Sequence, residues 1–296
     1  MPELPEVETI ARELRPLLVG ARVRDVWFDW PNQIKQPPPA EFAAAVRGRR
    51  IRAIDRRAKW LLVELGDDPA AAGEAAGEVL AIQVKMTGQL LVLPADAPRD
   101  RHVHAVFTLD DGRELRLRDT RKFARLGVFR RDAALDAQFG PEPLDEGFRA
   151  RDFGRRVRSR RARLKTLLMD QAFLAGVGNI YADEALWRAR LHPLRSGAGL
   201  NAEQSRRLYR ELRAVLAEAI ERRGSSVDDY LAPEGRGEMQ NYLNVYGRGG
   251  RPCRRCGRPI RRLVLNARST HFCSWCQRLP ASERLPGVRA LLRGGR

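Results

Sequence analysis

Cys253-Arg254-Arg255-Cys256 and Cys273-Ser274-Trp275-Cys276 decide the reading of this chain, because they hold all four of its cysteines with sixteen residues between the pairs. This is the two-pair spacing of a four-cysteine zinc site. Each pair makes a tight knuckle that turns both thiolates inward, and the segment between has room for a β-hairpin. Zinc is favoured over two free thiol pairs or a redox centre. Four protein ligands leave the metal no open position, so Cys253, Cys256, Cys273 and Cys276 are expected to hold one structural Zn2+. His271 offers a mixed ligand set as the alternative, and the complete cysteine set leaves it as a surface residue of the hairpin. The hairpin carries Arg258, Arg261, Arg262 and Arg268. A rigid basic hairpin suits a phosphate backbone.

The rest of the composition agrees with that partner. The 296 residues suffice for about two domains. Lys and Arg number 55 against 37 Asp and Glu, a net charge of +18. Such a balance favours a polyanion, nucleic acid before an anionic membrane surface. No stretch is apolar and long enough to span a bilayer. The first twenty residues carry Glu3, Glu6, Glu8, Arg12, Glu13 and Arg15, which excludes a signal peptide. Cysteines confined to one segment speak against a secreted disulfide scaffold and for a cytoplasmic protein.

N-terminal to the cysteines the pattern is helical. Periodicity predicts helices over 161–173, 180–190 and 202–223. Arg151 to Arg163 holds seven arginines in thirteen positions. Residues 224–237 form a polar, Gly-containing segment that reads as mobile. The end, 279–296, reads as a disordered basic tail. Gly140-Pro141-Glu142-Pro143-Leu144 lies in a stretch, 136–150, that reads as a linker. Before it, short strands are predicted at 23–28, 60–65, 79–84, 89–93, 104–109 and 114–118, the last two joined by the hairpin signal Asp110-Asp111-Gly112. Such a series suggests a β-sandwich. Pro37-Pro38-Pro39 and residues 68–78 read as surface loops. Residues 3–18 form an amphipathic helix, with Val7, Ile10, Ala11, Leu14, Leu17 and Leu18 on one face, ended by Gly20.

That helix begins Met1-Pro2-Glu3-Leu4-Pro5-Glu6. Removal of Met1, which a small next residue permits, would leave Pro2 with a free secondary amine. Such an amine is nucleophilic when unprotonated and forms an iminium with a sugar carbon directly. Glu3 beside it would be placed for proton transfer. The plainer alternative is a proline that starts a helix and a glutamate that complements its dipole.

Taken together, Pro2-Glu3-Leu4-Pro5-Glu6-Val7-Glu8-Thr9, Arg56-Arg57-Ala58-Lys59-Trp60-Leu61, Lys85-Met86-Thr87-Gly88, Asp119-Thr120-Arg121-Lys122-Phe123, Gly140-Pro141-Glu142-Pro143-Leu144, Gly176-Val177-Gly178-Asn179-Ile180-Tyr181-Ala182-Asp183-Glu184, Val245-Tyr246-Gly247-Arg248 and the cysteine hairpin resemble, in order, the formamidopyrimidine-DNA glycosylases, the Fpg/MutM branch of the Fpg/Nei family. The likeness runs from residue 2 to about 278. It implies a multi-domain α+β chain: an N-terminal helix and β-sandwich (1–135), a linker (136–150), a helix-two-turns-helix domain (151–248), a zinc finger (249–278) and a basic tail (279–296). It implies binding of damaged double-stranded DNA in a cleft, excision of oxidised purines, strand cutting at the abasic site, and action as a monomer.

The resemblance also implies roles. Pro2 is the nucleophile at C1′ and Glu3 the acid/base that opens the sugar. Lys59 contacts phosphate and assists elimination, and Arg268 holds phosphates at the lesion and assists the second elimination. Flipping a base out of the duplex leaves a hole that side chains must fill, and Met86, Arg121 and Phe123 match that set. Phe123 stands among Arg121, Lys122 and Arg125, an odd setting for a core aromatic. Asn179 and Lys165 match phosphate contacts, and His102 and Arg160 match further DNA contacts. Residues 225–240 correspond to a loop over the extruded base.

Some positions depart from the pattern. Lys122 and Ala124 stand where Arg and Gly are common, Lys85 where Gly is frequent, and the loop at 67–78 is long. The start Glu3-Leu4-Pro5-Glu6 favours the purine branch over the Nei branch, which takes oxidised pyrimidines. A non-catalytic zinc-finger DNA-binding protein is the other alternative, and only Pro2, Glu3 and Lys59 speak against it.

Overall fold

The computed structural model describes residues 2–66, 78–130, 136–225, 237–284 and Gly287. The chain divides into two units, Met1–Gln138 with Arg222–Gln240, and Phe139–Glu221 with Asn241–Arg296.

The first unit starts with helix α1 (Leu4–Leu18), whose Leu4, Val7, Ile10, Leu14 and Leu18 are buried. Each such side chain contributes about 2 kcal/mol through burial, so the helix start is held firmly in place. Leu17, expected on the same face, is exposed instead. Strands β1 (Val23–Phe28), β2 (Arg50–Arg57), β3 (Trp60–Gly66), β4 (Glu78–Gln83), β5 (Gly88–Pro94), β6 (Val103–Leu109), β7 (Arg113–Asp119) and β8 (Arg125–Arg130) follow. They form two four-stranded antiparallel sheets, ordered β1-β6-β7-β5 and β2-β3-β4-β8. Ile54, Val63, Leu80, Phe107, Leu117 and Leu126 of the two sheets share one core with α1, the expected sandwich. Pro39, assigned to a loop, instead opens helix α2 (Pro39–Val46), because proline suits the first turn. Phe42 of α2 is fully buried, edge-on to Phe28 and Phe107. The loop read at 68–78 lies almost wholly outside the described residues.

The second unit contains α3 (Ala150–Arg158), α4 (Leu164–Met169), α5 (Asn179–Arg188), α6 (Ala202–Glu221) and a hairpin of β9 (Arg261–Leu265) and β10 (Arg268–Phe272). The arginine-rich stretch is helical as far as Arg158, because Phe153 and Val157 anchor one face while Arg151 and Arg155 point to solvent. The helix expected over 161–173 is confined to α4, because Asp170 leaves helical geometry and turns lead on to Gly178.

The stretch read as a linker packs within this unit from residue 139 onward. Phe148 stacks edge-on to Phe153 and Tyr209, and Arg213 donates to the carbonyls of Pro143 and Asp145. The start of the expected tail is also packed. Leu279 is buried, and Glu283 accepts the Ser196 N–H at 2.6 Å. The tail from 285 onward, except Gly287, lies outside the described residues. Residues 222–240, read with the helical domain, group with the sheets.

Candidate functional site

In the first unit, Pro2 and Glu3 are buried where α1 begins. Glu3 and Glu6 form a reciprocal capping box, with the Glu3 N–H donating to Glu6 Oε2 at 2.8 Å. The box satisfies backbone donors that a helix start otherwise leaves open. Glu6 has a second partner: its Oε1 accepts the Ser225 N–H at 2.8 Å. One carboxylate therefore ties the N-terminus to the residue that precedes segment 226–236. The sequence reading gave Glu6 no role, although the Glu-x-x-Glu spacing of a capping box was there to be seen. The expected base-covering loop is represented among the described residues only by its ends, 225 and 237–240.

Lys59 lies in the two-residue turn between β2 and β3, where Arg57 pairs with Trp60. Ala58 before it is left-handed, with φ of 52°. Arg56 holds the turn from both sides. It donates to the Ala58 carbonyl at 2.9 Å and to Glu8 Oε2 on α1 at 3.2 Å. The turn with Lys59 is thus tied to the helix that starts after Pro2 and Glu3.

Met86, Arg121 and Phe123 come together, although they belong to two loops. Arg121 Nη1 lies 3.7 Å from Met86 Sδ, and its guanidinium carbon lies 4.6 Å from the Phe123 ring centroid. Phe123 remains 40% exposed, too open for a core aromatic. The cluster offers an apolar, polarizable wedge with a cation at its centre.

Asp119, 1% exposed, holds both loops. Its Oδ1 accepts the Thr87 hydroxyl and the Arg121 N–H, and its Oδ2 accepts the N–H groups of Phe123 and Ala124, each at 2.7 Å. Its own N–H donates to the carbonyl of His102, a half-buried residue. Asp119→Ala strands several buried donors, and we expect urea unfolding to show a loss of about 3 kcal/mol. A loss below about 1 kcal/mol would mean that the loops hold without it.

The second unit carries the remaining residues. Gln171 staples the turn ahead of α5, accepting the Gly176 N–H at 2.9 Å and donating to the Val177 carbonyl at 2.8 Å. Asn179 then opens the helix after Gly178, and its Oδ1 is buried with no hydrogen-bond partner among the described residues. Lys165, expected at phosphate, is 1% exposed. Its ammonium donates to the Asn179 carbonyl and to Asp183 Oδ1, both at 2.7 Å. It therefore fixes the start of α5 from within. Asp183 Oδ2 accepts the His271 N–H from β10 at 2.8 Å. His271, read as a surface residue, is 6% exposed and packs edge-on to Tyr246.

Arg268 follows the Asn266-Ala267 turn, whose φ angles of 49° and 58° make the tight hairpin connection. Arg268 and Arg160 are exposed, with no side-chain partner among the described residues.

The four cysteines present Sγ atoms that all lie within 4.8 Å of one another. A tetrahedral zinc site has sulfur–sulfur edges of about 3.8 Å, so the arrangement fits the ion. Left to themselves the thiols are in conflict. Burial raises the Cys276 pKa, and hydrogen bonds with Cys256 and Cys273 add to bring it to about 12. For Cys253, burial acts upward, but N–H groups donated by Arg255 and Cys256 and a contact with Trp187 prevail and bring it to about 6. A divalent cation removes the conflict by binding all four as thiolates.

Comparison with known proteins covers nearly the whole chain. Residues 1–126 match the formamidopyrimidine-DNA glycosylase N-terminal domain, 139–230 the formamidopyrimidine-DNA glycosylase H2TH domain, and 250–279 the zinc finger found in FPG and IleRS. A formamidopyrimidine-DNA glycosylase of Herpetosiphon aurantiacus is 47% identical over 94% of this chain and 100% of its own. One of Chloroflexus aurantiacus is 49% identical over 94% and 98%. Among solved structures, the MutM (Fpg) protein of Thermus thermophilus aligns with a TM-score of 0.81 at 44% identity, covering 93% of this chain and 98% of that one. Lactococcus lactis Fpg in complex with abasic-site DNA aligns with a TM-score of 0.85 at 34% identity over 94% and 100%. No helix among the described residues is long and apolar enough to cross a membrane.

Proposed function

The chain belongs to the formamidopyrimidine-DNA glycosylase family, and on that premise we propose how its residues divide the work of a base-excision-repair glycosylase and abasic-site lyase for oxidised purines. Neither a Nei-type enzyme nor a non-catalytic binder is favoured by similar chains named for this activity over nearly their full length.

The observation that carries the reading is the meeting of Met86, Arg121 and Phe123 in one partly exposed cluster. An extruded base leaves a gap in the stack. An aromatic edge and a thioether fill such a gap, and a guanidinium between them can hydrogen-bond to the orphaned partner base.

Pro2, freed of Met1, attacks C1′ with its amine lone pair, and the base leaves with the glycosidic electron pair and takes up a proton. Opening of the sugar ring gives an iminium on C1′, with Glu3 supplying the proton to the ring oxygen. The iminium acidifies the C2′ protons. Loss of one expels the 3′ phosphate, and a further deprotonation expels the 5′ phosphate. Water then hydrolyses the sugar fragment from Pro2. Lys59 and Arg268 neutralise the departing phosphates, while Asn179 and Arg160 hold the backbone and His102 adds a contact. Lys165 serves by positioning the start of α5. The four cysteines hold Zn2+, which fixes the hairpin behind Arg268. Excision of genomic lesions places the protein in the cytoplasm, and we take the acting unit to be a single chain.

Borohydride reduction tests the reading. A duplex with 8-oxoguanine opposite cytosine should be trapped on the protein, and one with an oxidised pyrimidine far less. Absence of any adduct from protein with a mature N-terminus would sink it.

A further inference from the structure

One end of the β2-β3-β4-β8 sheet gathers three cations. β4 ends at Gln83, paired with Arg125, the first residue of β8, and Lys85 follows two residues later. On the other side of β8, Ile34 forms a parallel bridge to Leu126, and the Lys35 N–H donates to the Leu126 carbonyl at 2.8 Å. Lys35, Arg125 and Lys85 thus leave neighbouring stretches of chain at one sheet end.

Lys85 is half-buried, and its pKa is lowered first by that burial and then by the charges of Arg125 and Lys35. None of the three forms an ion pair with a carboxylate among the described residues. Arg125 Nη1 donates to the carbonyls of Phe123 and Ala124 at 3.1 and 2.9 Å, and Lys35 Nζ to the carbonyl of Asn32 at 3.2 Å. Lys85 also holds a left-handed backbone, with φ of 55°, in a turn where glycine would sit without cost. Repulsion, burial and backbone strain all act against this lysine. Such an arrangement is expected where an anion completes it.

We propose that Lys35, Lys85 and Arg125 form a phosphodiester-binding site that takes the DNA backbone beside the Met86–Arg121–Phe123 cluster. The inference rests on the glycosylase reading for its ligand. Two links set the place of the phosphate. Lys85 adjoins Met86, and Arg125 is hydrogen-bonded to the carbonyl of Phe123. A strand whose stack receives that cluster brings its phosphates past these cations. The site grips the backbone where the duplex is opened and takes no part in reading base identity.

The test is a salt titration of binding to a duplex with a tetrahydrofuran abasic analogue, followed by anisotropy between about 50 and 200 mM salt. Lys85→Met should weaken binding about ten-fold at the lower salt and reduce the slope of log K against log salt by about one, and Lys85→Arg should restore both. Methylphosphonate scanning should then locate one backbone position whose neutralisation weakens the wild type but not Lys85→Met. Lys85→Gly removes the same ammonium and relieves the left-handed strain. It should bind like Lys85→Met while melting no lower than the wild type, which separates loss of contact from loss of fold. An unchanged slope in both variants, or no coupled phosphate position, overturns the proposal. Capture of inorganic phosphate that depends on Lys85, with DNA binding unaltered, assigns the site to a free anion and overturns it as well. If the wild type itself shows no salt-dependent affinity for the duplex, the glycosylase reading fails instead.

Discussion

Blocking the amine of Pro2, by retaining Met1 or by acetylation, is expected to abolish the borohydride-trapped adduct and to lower strand cleavage by about ten thousand-fold. Affinity for the abasic-analogue duplex should change less than about three-fold, because the interaction lost is one made only along the reaction path. The structure explains why the blocked protein should still fold and bind. Pro2 precedes α1, and the helix is anchored by Leu4, Val7, Ile10, Leu14 and Leu18, not by its terminal amine. Its first turn is capped from within by Glu3 and Glu6. The amide nitrogen of a Met1-Pro2 bond has its lone pair delocalised into the carbonyl and cannot attack carbon, whereas a free α-amino group titrates near about 8 and is partly unprotonated at neutral pH. Trapping and cleavage should therefore fall together with the fraction of chains that keep Met1, which mass spectrometry measures. A blocked protein that still forms the adduct would place the nucleophile elsewhere, with Lys59 the first residue to examine.

What the sequence disclosed and what it concealed differ in physical kind. β1 was legible because Val23 and Val26 bury one face between charged residues. β2 was not, since Arg50, Arg52, Asp55, Arg56 and Arg57 outweigh the buried Ile51 and Ile54, and a bulge between Ile51 and Ala53 breaks the period of two. Phe123 could be picked out by its cationic neighbours in sequence. Asp119 could not, because an aspartate at the end of a strand reads as an ordinary turn residue and the donors it satisfies come from two loops. The buried setting of Lys165 was hidden for a related reason. Nothing local announces that a lysine will be buried, and its partner Asp183 lies eighteen positions on. The capping box of Glu3 and Glu6 was written in spacing, but the contact from Glu6 to Ser225 spans 219 positions. Local periodicity and fixed spacings were legible. Carboxylates and ammonium groups that join distant segments were not.

Removing the zinc ion is expected to uncouple the hairpin and to lower affinity for the abasic-analogue duplex by about 100-fold or more, while the sheets of the first unit stay folded. The argument turns on what else holds the hairpin. β9 and β10 have five residues each, and a two-stranded hairpin is marginal by itself. Leu263, Leu265 and Phe272 pack with Leu194 and Leu279 on one side. On the other, Ile260 packs with Trp187 and Val245 only in company with Cys253 and Cys273, so the metal ligands are themselves part of that core. Polar anchors add to this: the His271 N–H on Asp183, a bond to a charged group worth about 1.5–3 kcal/mol, and buried Gln277, which donates to the Leu191 carbonyl at 2.9 Å and accepts the Cys273 N–H at 2.8 Å. Structural zinc in small fingers contributes about 10 kcal/mol or more, so the metal dominates. Protons compete with it: with the Cys276 thiol pushed up to about 12, every metal-binding event must displace protons, and metal affinity falls as pH falls. Cys276→Ser should reproduce the effect of a chelator, with zinc content measured by atomic absorption and binding by anisotropy. If the metal-free protein kept its DNA affinity within about three-fold, the His271–Asp183 bond and the Phe272 core would be the true anchors of Arg268, and zinc would be dispensable for the grip on phosphate.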